Sequence, residues 1–186
     1  MKISGPTWSK TQRESGLSLL EMMVTMGIGT MLLAAMAAFT VFTSRSFVAT
    51  GNYADLDRAS RATLDTLTRD IRQARSMSTY KTNQIVLKDH DNNTLTYTWD
   101  PSASTFSRNG TNGTVVLLQQ CDYLNFNISQ RNPSNNFTFY PAVNASGQLD
   151  PTLAKLVDVS WRCSRKILGQ KVNTESVQTA KIVMRN

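Results

Sequence analysis

An unbroken apolar run dominates the first quarter of the chain. Residues 22–44 comprise 23 positions without a charged side chain, and Glu21 is the only ionisable residue between Leu17 and Arg45. A membrane-spanning helix needs about 20 apolar residues, so this run is long enough to cross a bilayer. A carboxylate at the bilayer centre costs about 2.5–3.5 kcal/mol on insertion scales. We therefore expect Glu21 to have a function and a cationic partner.

A second helical pattern follows over residues 53–78. Its apolar positions recur at spacings of three and four residues, which is typical of an amphipathic helix. They are Leu56, Ala59, Ala62 or Thr63, Leu67, Ile71 and Ala74, with Leu64 beside them. The other face is charged and is predicted to be solvated; it carries Asp57, Arg58, Arg61, Asp65, Arg69, Asp70, Arg72 and Arg75. Gly51-Asn52 is a candidate bend or break between the two helical stretches.

Beyond Tyr80 the helical period gives way to alternation and turn residues. Short alternating runs predict strands at 84–88, 94–99, 105–108, 115–118, 123–128, 137–140, 153–163 and 176–184. Polar turns or loops separate them, including 89–93, 109–114, 129–135, 141–151 and 167–173. The fold class predicted is α+β: a long hydrophobic helix continues into an amphipathic helix, which packs on a mostly antiparallel β-sheet head. Leu64, Leu67, Ile71 and Ala74 should face the sheet, whereas Arg61, Asp65, Arg69 and Arg72 should face water.

The residues before the apolar run carry a recognisable motif. A short polar, basic leader ends at Gly16, Leu17 follows, and Glu21 is the fifth residue after the glycine. This motif resembles the class III signal of type IV prepilins and type II secretion pseudopilins. The resemblance implies that a prepilin peptidase cuts between Gly16 and Leu17 and that Leu17 is N-methylated. The family usually has Phe where Leu17 stands, and many members have Pro where Ala38 stands.

An ordinary signal anchor or an uncleaved signal peptide is the alternative interpretation of this region. Lys2, Lys10 and Arg13 precede an apolar run, as they do in many secreted proteins. A secretory apolar region has about 7–15 residues and ends at small residues. The longer run and the carboxylate at its front favour the prepilin interpretation.

Several later segments also resemble J-type pseudopilins and W-type minor pilins. The matching stretches are residues 64–74, 95–99, 116–118, 124–126 and 182–186. The resemblance implies a pilin fold with four parts: a leader (1–16), a transmembrane or filament helix (17–44), an amphipathic helical segment (45–80) and a β-rich head (81–186). It also implies a non-enzymatic subunit that helps to initiate or cap a filament. Such a subunit spans the inner membrane once, keeps its head in the periplasm and packs against other pilin or pseudopilin subunits.

Glu21 has a specific expected partner within such an assembly. The nearest Lys or Arg after the cleavage site is Arg45, which is 24 residues away. The remaining cation is a mature N-terminal amine, which stays charged after methylation. We expect Glu21 to pair with the N-terminus of an adjacent subunit and to act in assembly.

The net charge changes this interpretation little. The chain carries +7 over 186 residues, and the leader contributes +2 of that charge. A moderate basic excess permits contact with nucleic acid or anionic surfaces but is also found on ordinary solvated surfaces, so nucleic acid is not an expected partner. The one candidate cluster for a tip adhesin or DNA receptor is Arg162, Arg165 and Lys166 beside Trp161.

Two cysteines, Cys121 and Cys163, lie in predicted strands. An exported head would enter an oxidising compartment, where a disulfide can form and persist. Two buried free thiols are the alternative. The spacing of the two residues is not that of a metal site.

Motifs of enzyme chemistry are not evident. His90 is the only histidine, and the chain contains neither a nucleophile elbow nor a phosphate-binding loop. Asp89, Asp91, Asn93 and Asp100 occupy positions 1, 3, 5 and 12 of an EF-hand-like count, but Thr94 replaces the glycine that such a loop requires. A polar hairpin turn is favoured there, and no metal, cofactor or catalytic activity is expected.

Overall fold

The computed structural model describes Gly16 and residues 18–132, 138–167 and 170–185, without the side chains of Ile167 and residues 170–173. The leader up to residue 15 and Leu17 lie outside the described residues, as do Phe137 and parts of the predicted loops at 129–135 and 167–173. Two compact units make up the chain, residues 1–44 and residues 45–186.

The first element, α1, is a helix of 55 residues, Leu19–Gln73. It continues through Gly51-Asn52, so the candidate break at that point is absent. A single interior glycine costs only about 1 kcal/mol relative to alanine, which a long helix can absorb. The helix ends before the expected residue 78, and the assignment of residues 74–80 to the helical segment is therefore wrong. The backbone N–H of Arg75 already donates to the carbonyl of Lys88 at 2.8 Å, which starts a β-ladder.

Among the residues that the structure describes, nine strands follow in two antiparallel sheets. The first sheet is a meander in sequence order: β1 (Ser76–Lys81), β2 (Gln84–Lys88), β3 (Thr94–Asp100), β4 (Thr105–Gly110) and β5 (Gly113–Gln119). The second sheet has the order β7-β6-β8-β9, formed by β6 (Cys121–Arg131), β7 (Phe139–Pro141), β8 (Leu156–Ile167) and β9 (Gln170–Val183). One long helix followed by antiparallel sheets confirms the α+β prediction.

β9 begins at Gln170 and not at residue 176, so the predicted loop at 167–173 is wrong for residues 170–173. Two other differences from the predicted strands have local causes. β1 was not predicted, because Met77 is the only residue buried in a segment that is otherwise polar or half-exposed. β8 begins at Leu156 and not at residue 153, because residues 151–153 form a 3₁₀ turn. That turn is capped by Asp150, whose carboxylate accepts from the backbone N–H of Thr152 at 2.9 Å.

The core of the second unit lies between the C-terminal part of α1 and the inner faces of the strands. Its largest fully buried side chains are Trp161, Tyr97, Phe106, Phe126, Leu67 and Ile71. The predicted orientation of the helix is confirmed: Leu67, Ile71 and Ala74 are buried, Leu64 is half-buried, and Arg61, Asp65, Arg69 and Arg72 are exposed. Asp70 is the exception, because it was placed on the solvated face and is in fact buried.

Small polar side chains of α1 fasten the helix to both sheets. Ser60 is fully buried, and its hydroxyl accepts from Nε1 of Trp161 in β8 at 3.3 Å. Thr63 donates its hydroxyl to the carbonyl of Leu117 in β5 at 3.3 Å. Both residues were outside the apolar stripe or at its margin in the sequence, yet each provides a directional contact that fixes the helix on a particular strand.

Candidate processing and assembly site

The N-terminus of α1 is capped by Ser18. The backbone N–H of Glu21 donates to Oγ of Ser18 at 3.2 Å and to its carbonyl at 3.0 Å. A serine followed three residues later by a glutamate is the pattern of a capping box. A carboxylate in this first turn also lies where the helix dipole favours negative charge. Sequence reasoning singled out Glu21 and missed Ser18, although the Ser-x-x-Glu spacing was visible.

The two residues of the expected cleavage site precede this cap. Gly16 is exposed and non-helical, and a side chain built at that position would meet no atom within 4 Å. Leu17 lies outside the described residues. Cleavage after Gly16 and methylation of Leu17 remain predictions.

The part of α1 within the first unit, residues 19–44, has no buried residue. Large apolar side chains are exposed around the helix, among them Leu20, Met26, Leu32, Met36, Phe39 and Phe42. The hydroxyls of Thr25, Thr30 and Thr40 are satisfied locally, since each donates to a carbonyl of its own helix at 2.8–3.0 Å. In the described part of the chain, α1 is the one helix long and apolar enough to cross a membrane. Internal hydrogen bonding is what a lipid environment demands of such a segment.

Glu21 has no cation nearby within the chain as described. Among Gly16 and residues 18–132, 138–167 and 170–185, no Lys or Arg side chain forms an ion pair with its carboxylate. Arg45, the next cation along the helix, is about 36 Å away at 1.5 Å per residue. Any ionic partner of Glu21 therefore lies outside the described residues or on another molecule.

Comparison with known proteins addresses this N-terminal region. The model of the prokaryotic N-terminal methylation motif matches residues 11–37, which include Gly16, Leu17 and Glu21. The chain carries a prepilin-type signal. This match supports a type IV pilin-like protein that is anchored in a membrane, processed by a prepilin peptidase and assembled with other pilins. No curated protein and no solved structure matches the chain.

In the head, Asp70 connects the end of α1 to the first sheet. Its Oδ2 accepts from the hydroxyl of Tyr97 in β3 and from Nε of Arg108 in β4, each at 2.7 Å. Nε of Arg69 lies 3.6 Å from Oδ1. Burial raises the pKa of Tyr97, and the hydrogen bond to Asp70 adds to this, so the hydroxyl remains a donor well above neutral pH. A buried carboxylate with two short donors holds the helix in one position on the sheet.

The residues of the EF-hand-like count do not converge. Residues 89–93 form the turn between β2 and β3, where Asp89 accepts from the backbone N–H of His90 at 2.8 Å. Asp100 is at the opposite end of β3 and accepts from Ser102. In the part of the chain that the structure describes, no group of three or more His, Cys, Asp or Glu side chains could hold a metal ion. The polar hairpin interpretation fits this arrangement.

The prediction that Trp161 belongs to a surface cluster for adhesion or DNA binding is wrong. Trp161 is completely buried and faces α1, whereas the next residue, Arg162, is exposed on the other face of β8. Alternation along a strand requires this separation. Arg165 pairs with Asp55 at 3.3 Å and donates to Gln120 at 2.9 Å. The tryptophan therefore offers no surface on which a base or a sugar could stack.

The two cysteines are brought together across the second sheet. Cys121 in β6 lies directly opposite Cys163 in β8, and both side chains are buried. The structure contains them as free thiols. The hydrogen bond between the two thiols, together with burial, raises the pKa of Cys121. The register places the two residues opposite each other, as a bridge would need, and the disulfide itself remains a prediction.

Proposed function

We propose that this protein is a non-enzymatic minor pilin or pseudopilin that helps to initiate or cap the filament of a type IV pilus or a type II secretion system. The observation that carries the proposal is the prepilin-type signal directly before a capped helix whose apolar side chains are exposed on all sides. A helix that is hydrophobic all round is stable only within a membrane or inside an assembly. The subunit would use each of these environments in turn.

Before assembly, residues 17–44 would hold the subunit in the inner membrane, with the head in the periplasm. Extraction into a filament then exchanges contacts with lipid for contacts with neighbouring helices. Gly27 and Gly29 suit this exchange, because the space beside each of them is open to another helix: a side chain built at either position meets nothing within 4 Å. Small residues on a membrane helix allow close approach of another helix. The head would determine which neighbouring subunits fit.

Glu21 would pair with the N-terminal amine of an adjacent subunit. Removal of the leader after Gly16 would place the new amine at Leu17, four residues before Glu21 in the sequence. The cost of a carboxylate among apolar helices falls sharply when a cation neutralises it. An amine from a neighbour would also define the axial position of one helix against the next.

A charge-removing variant tests this proposal. Glu21→Gln preserves the shape of the side chain and removes its charge, so we expect normal leader removal together with reduced incorporation into filaments. Sheared filament fractions and capture of partner subunits measure incorporation. Asp65→Asn is the matched control, because Asp65 is an exposed carboxylate on the head. Normal incorporation of the Glu21→Gln variant would contradict the proposed role.

A further inference from the structure

A cavity opens at the C-terminal end of α1, between the helix and the first sheet. Its volume is about 170 Å³, and its walls come from the last turn of α1, from the β2–β3 turn and from the β4–β5 turn. A protein cavity of about 150 Å³ can hold a benzene molecule. The cavity in the head is therefore large enough for a ligand with one six-membered ring.

Part of the cavity wall is apolar. Ala74, Leu87 and Leu95 line it, and the first two of these side chains are buried in the core of the head. Ligand sites typically combine such apolar surface with a small number of polar groups that fix the orientation of the ligand. A ligand with one apolar face could lie against this part of the wall.

The polar part of the wall offers both donors and acceptors. Arg108 uses its Nε to bind Asp70 at 2.7 Å, and a Cβ built on Gly110 would lie 3.5 Å from Nη1 of Arg108. The side-chain amides of Asn93 and Asn112 also line the cavity, and within the described residues neither forms a side-chain hydrogen bond. A guanidinium offers only donors, whereas each amide offers two N–H donors and one acceptor oxygen.

The charges around the cavity favour a neutral ligand. Asp70 compensates the charge of Arg108, and Asp89 adds a second carboxylate to the lining, which would repel an anion. A cation would have to lie beside the guanidinium of Arg108. A neutral ring with several hydroxyl groups avoids both costs, because each hydroxyl can accept from Arg108 or exchange hydrogen bonds with the amides. We propose that this cavity binds one neutral sugar ring, either as a free monosaccharide or at the end of a glycan, with the C–H face of the ring on the apolar wall.

This site is independent of the proposed role in filaments, because it uses only residues of the folded head. The test uses the full chain in a detergent without a sugar head group, and the probes are glucose, galactose, mannose, N-acetylglucosamine and the methyl glycoside of each. Saturation-transfer NMR should detect at least one of these sugars, with a dissociation constant in the millimolar range. Binding of the methyl glycoside assigns the site to the end of a glycan, and binding of the free sugar alone assigns it to a monosaccharide. Binding of none of them, or tighter binding of glucuronate than of glucose, would overturn the proposal.

Matched substitutions show whether the sugar occupies this cavity. Asn93→Ala combined with Asn112→Ala removes both amides and should raise the dissociation constant about tenfold, as the loss of two hydrogen bonds implies. Gly110→Ala should also weaken binding, because the new Cβ would lie 3.1 Å from Cδ1 of Leu95 and narrow the cavity. Asn109→Ala is the control, since Asn109 is exposed on β4 and does not line the cavity. Tryptophan fluorescence reports that each variant is folded. Equal weakening in the control, or unchanged binding in the double variant, would contradict the proposed site.

Discussion

The two parts of α1 carry similar apolar side chains, which are exposed in the first part and buried in the second. In the first unit, Phe39 is 70% exposed, and no residue from 19 to 44 is buried. In the second unit, Leu67 and Ile71 of the same helix are fully buried. The second part has its apolar partner within the chain, in the two sheets. Among the residues that the structure describes, the first part has no such partner, which fits a helix that packs against lipid or other subunits.

Polar side chains show the same contrast. The Glu21 side chain is exposed, and in the described part of the chain only the backbone N–H of this residue contacts a side chain, the hydroxyl of Ser18. Asp70 is buried and receives two short hydrogen bonds from the sheet. The stability of the head should therefore depend on residues after Arg45 and be insensitive to residues before it. The predictions below test this separation.

The largest expected effect is that of a disulfide in the head. Directly opposite residues in an antiparallel pair have Cα atoms about 4.5–5.5 Å apart, within the range of about 4.4–6.8 Å that a disulfide takes. A Cys121–Cys163 bridge would close a loop of about 40 residues and stabilise the exported head by about 4 kcal/mol. Because the thiols are buried, we expect a dithiol-oxidising enzyme to act before folding is complete. Mass mapping without reductant decides the question, and two freely alkylated cysteines in the exported protein would refute the bridge.

The next largest effect on the stability of the head is expected from a cavity in its core. Leu67→Ala should lower the free energy of unfolding of the head by about 3 kcal/mol, since Leu67 is fully buried against the sheets. Leu32→Ala is the matched control, because Leu32 lies in the exposed part of α1, and it should leave that free energy unchanged. Denaturant titration followed by tryptophan fluorescence measures both, because Trp161 is buried in the core of the head. Equal destabilisation by the two variants would contradict the prediction that the stability of the head is independent of the part of α1 before Arg45.

The buried carboxylate gives a smaller effect. Asp70→Asn should cost about 2 kcal/mol, which is below the range for a fully buried ion pair because Arg108 remains partly hydrated. Asp65→Asn on the exposed face should change stability by less than about 0.5 kcal/mol. The same titration applies, and a neutral Asp70→Asn variant would show that this network does not fasten α1 to the sheet.

Periodicity predicted much of this fold. The alternation in residues 84–88 identified β2 at its actual bounds, and the three- and four-residue spacing identified Leu67 and Ile71 as core. Asp70 could not be placed, because it borders the apolar stripe and its partner Arg108 is 38 residues away. Only the folded sheet brings the two together.

Other missed features had visible signals. Trp161 follows Val157 and Val159 in a strict alternation, which indicates an inward-facing position. The Ser-x-x-Glu spacing of Ser18 and Glu21 indicates a helix cap. β1 left little signal, since its burial depends mainly on Met77 and on pairing with β2.

The mature N-terminus is the most direct test of the account as a whole. Mass spectrometry of the protein extracted from membranes should find a chain that begins at Leu17 and carries a methyl group on its terminal nitrogen. That result is expected because the prepilin-type signal spans residues 11–37 and Gly16 precedes the capped helix. A mature chain that begins within the alanine-rich stretch near residues 34–38, or one that retains the leader, would contradict the assignment of this protein as a pilin-like subunit.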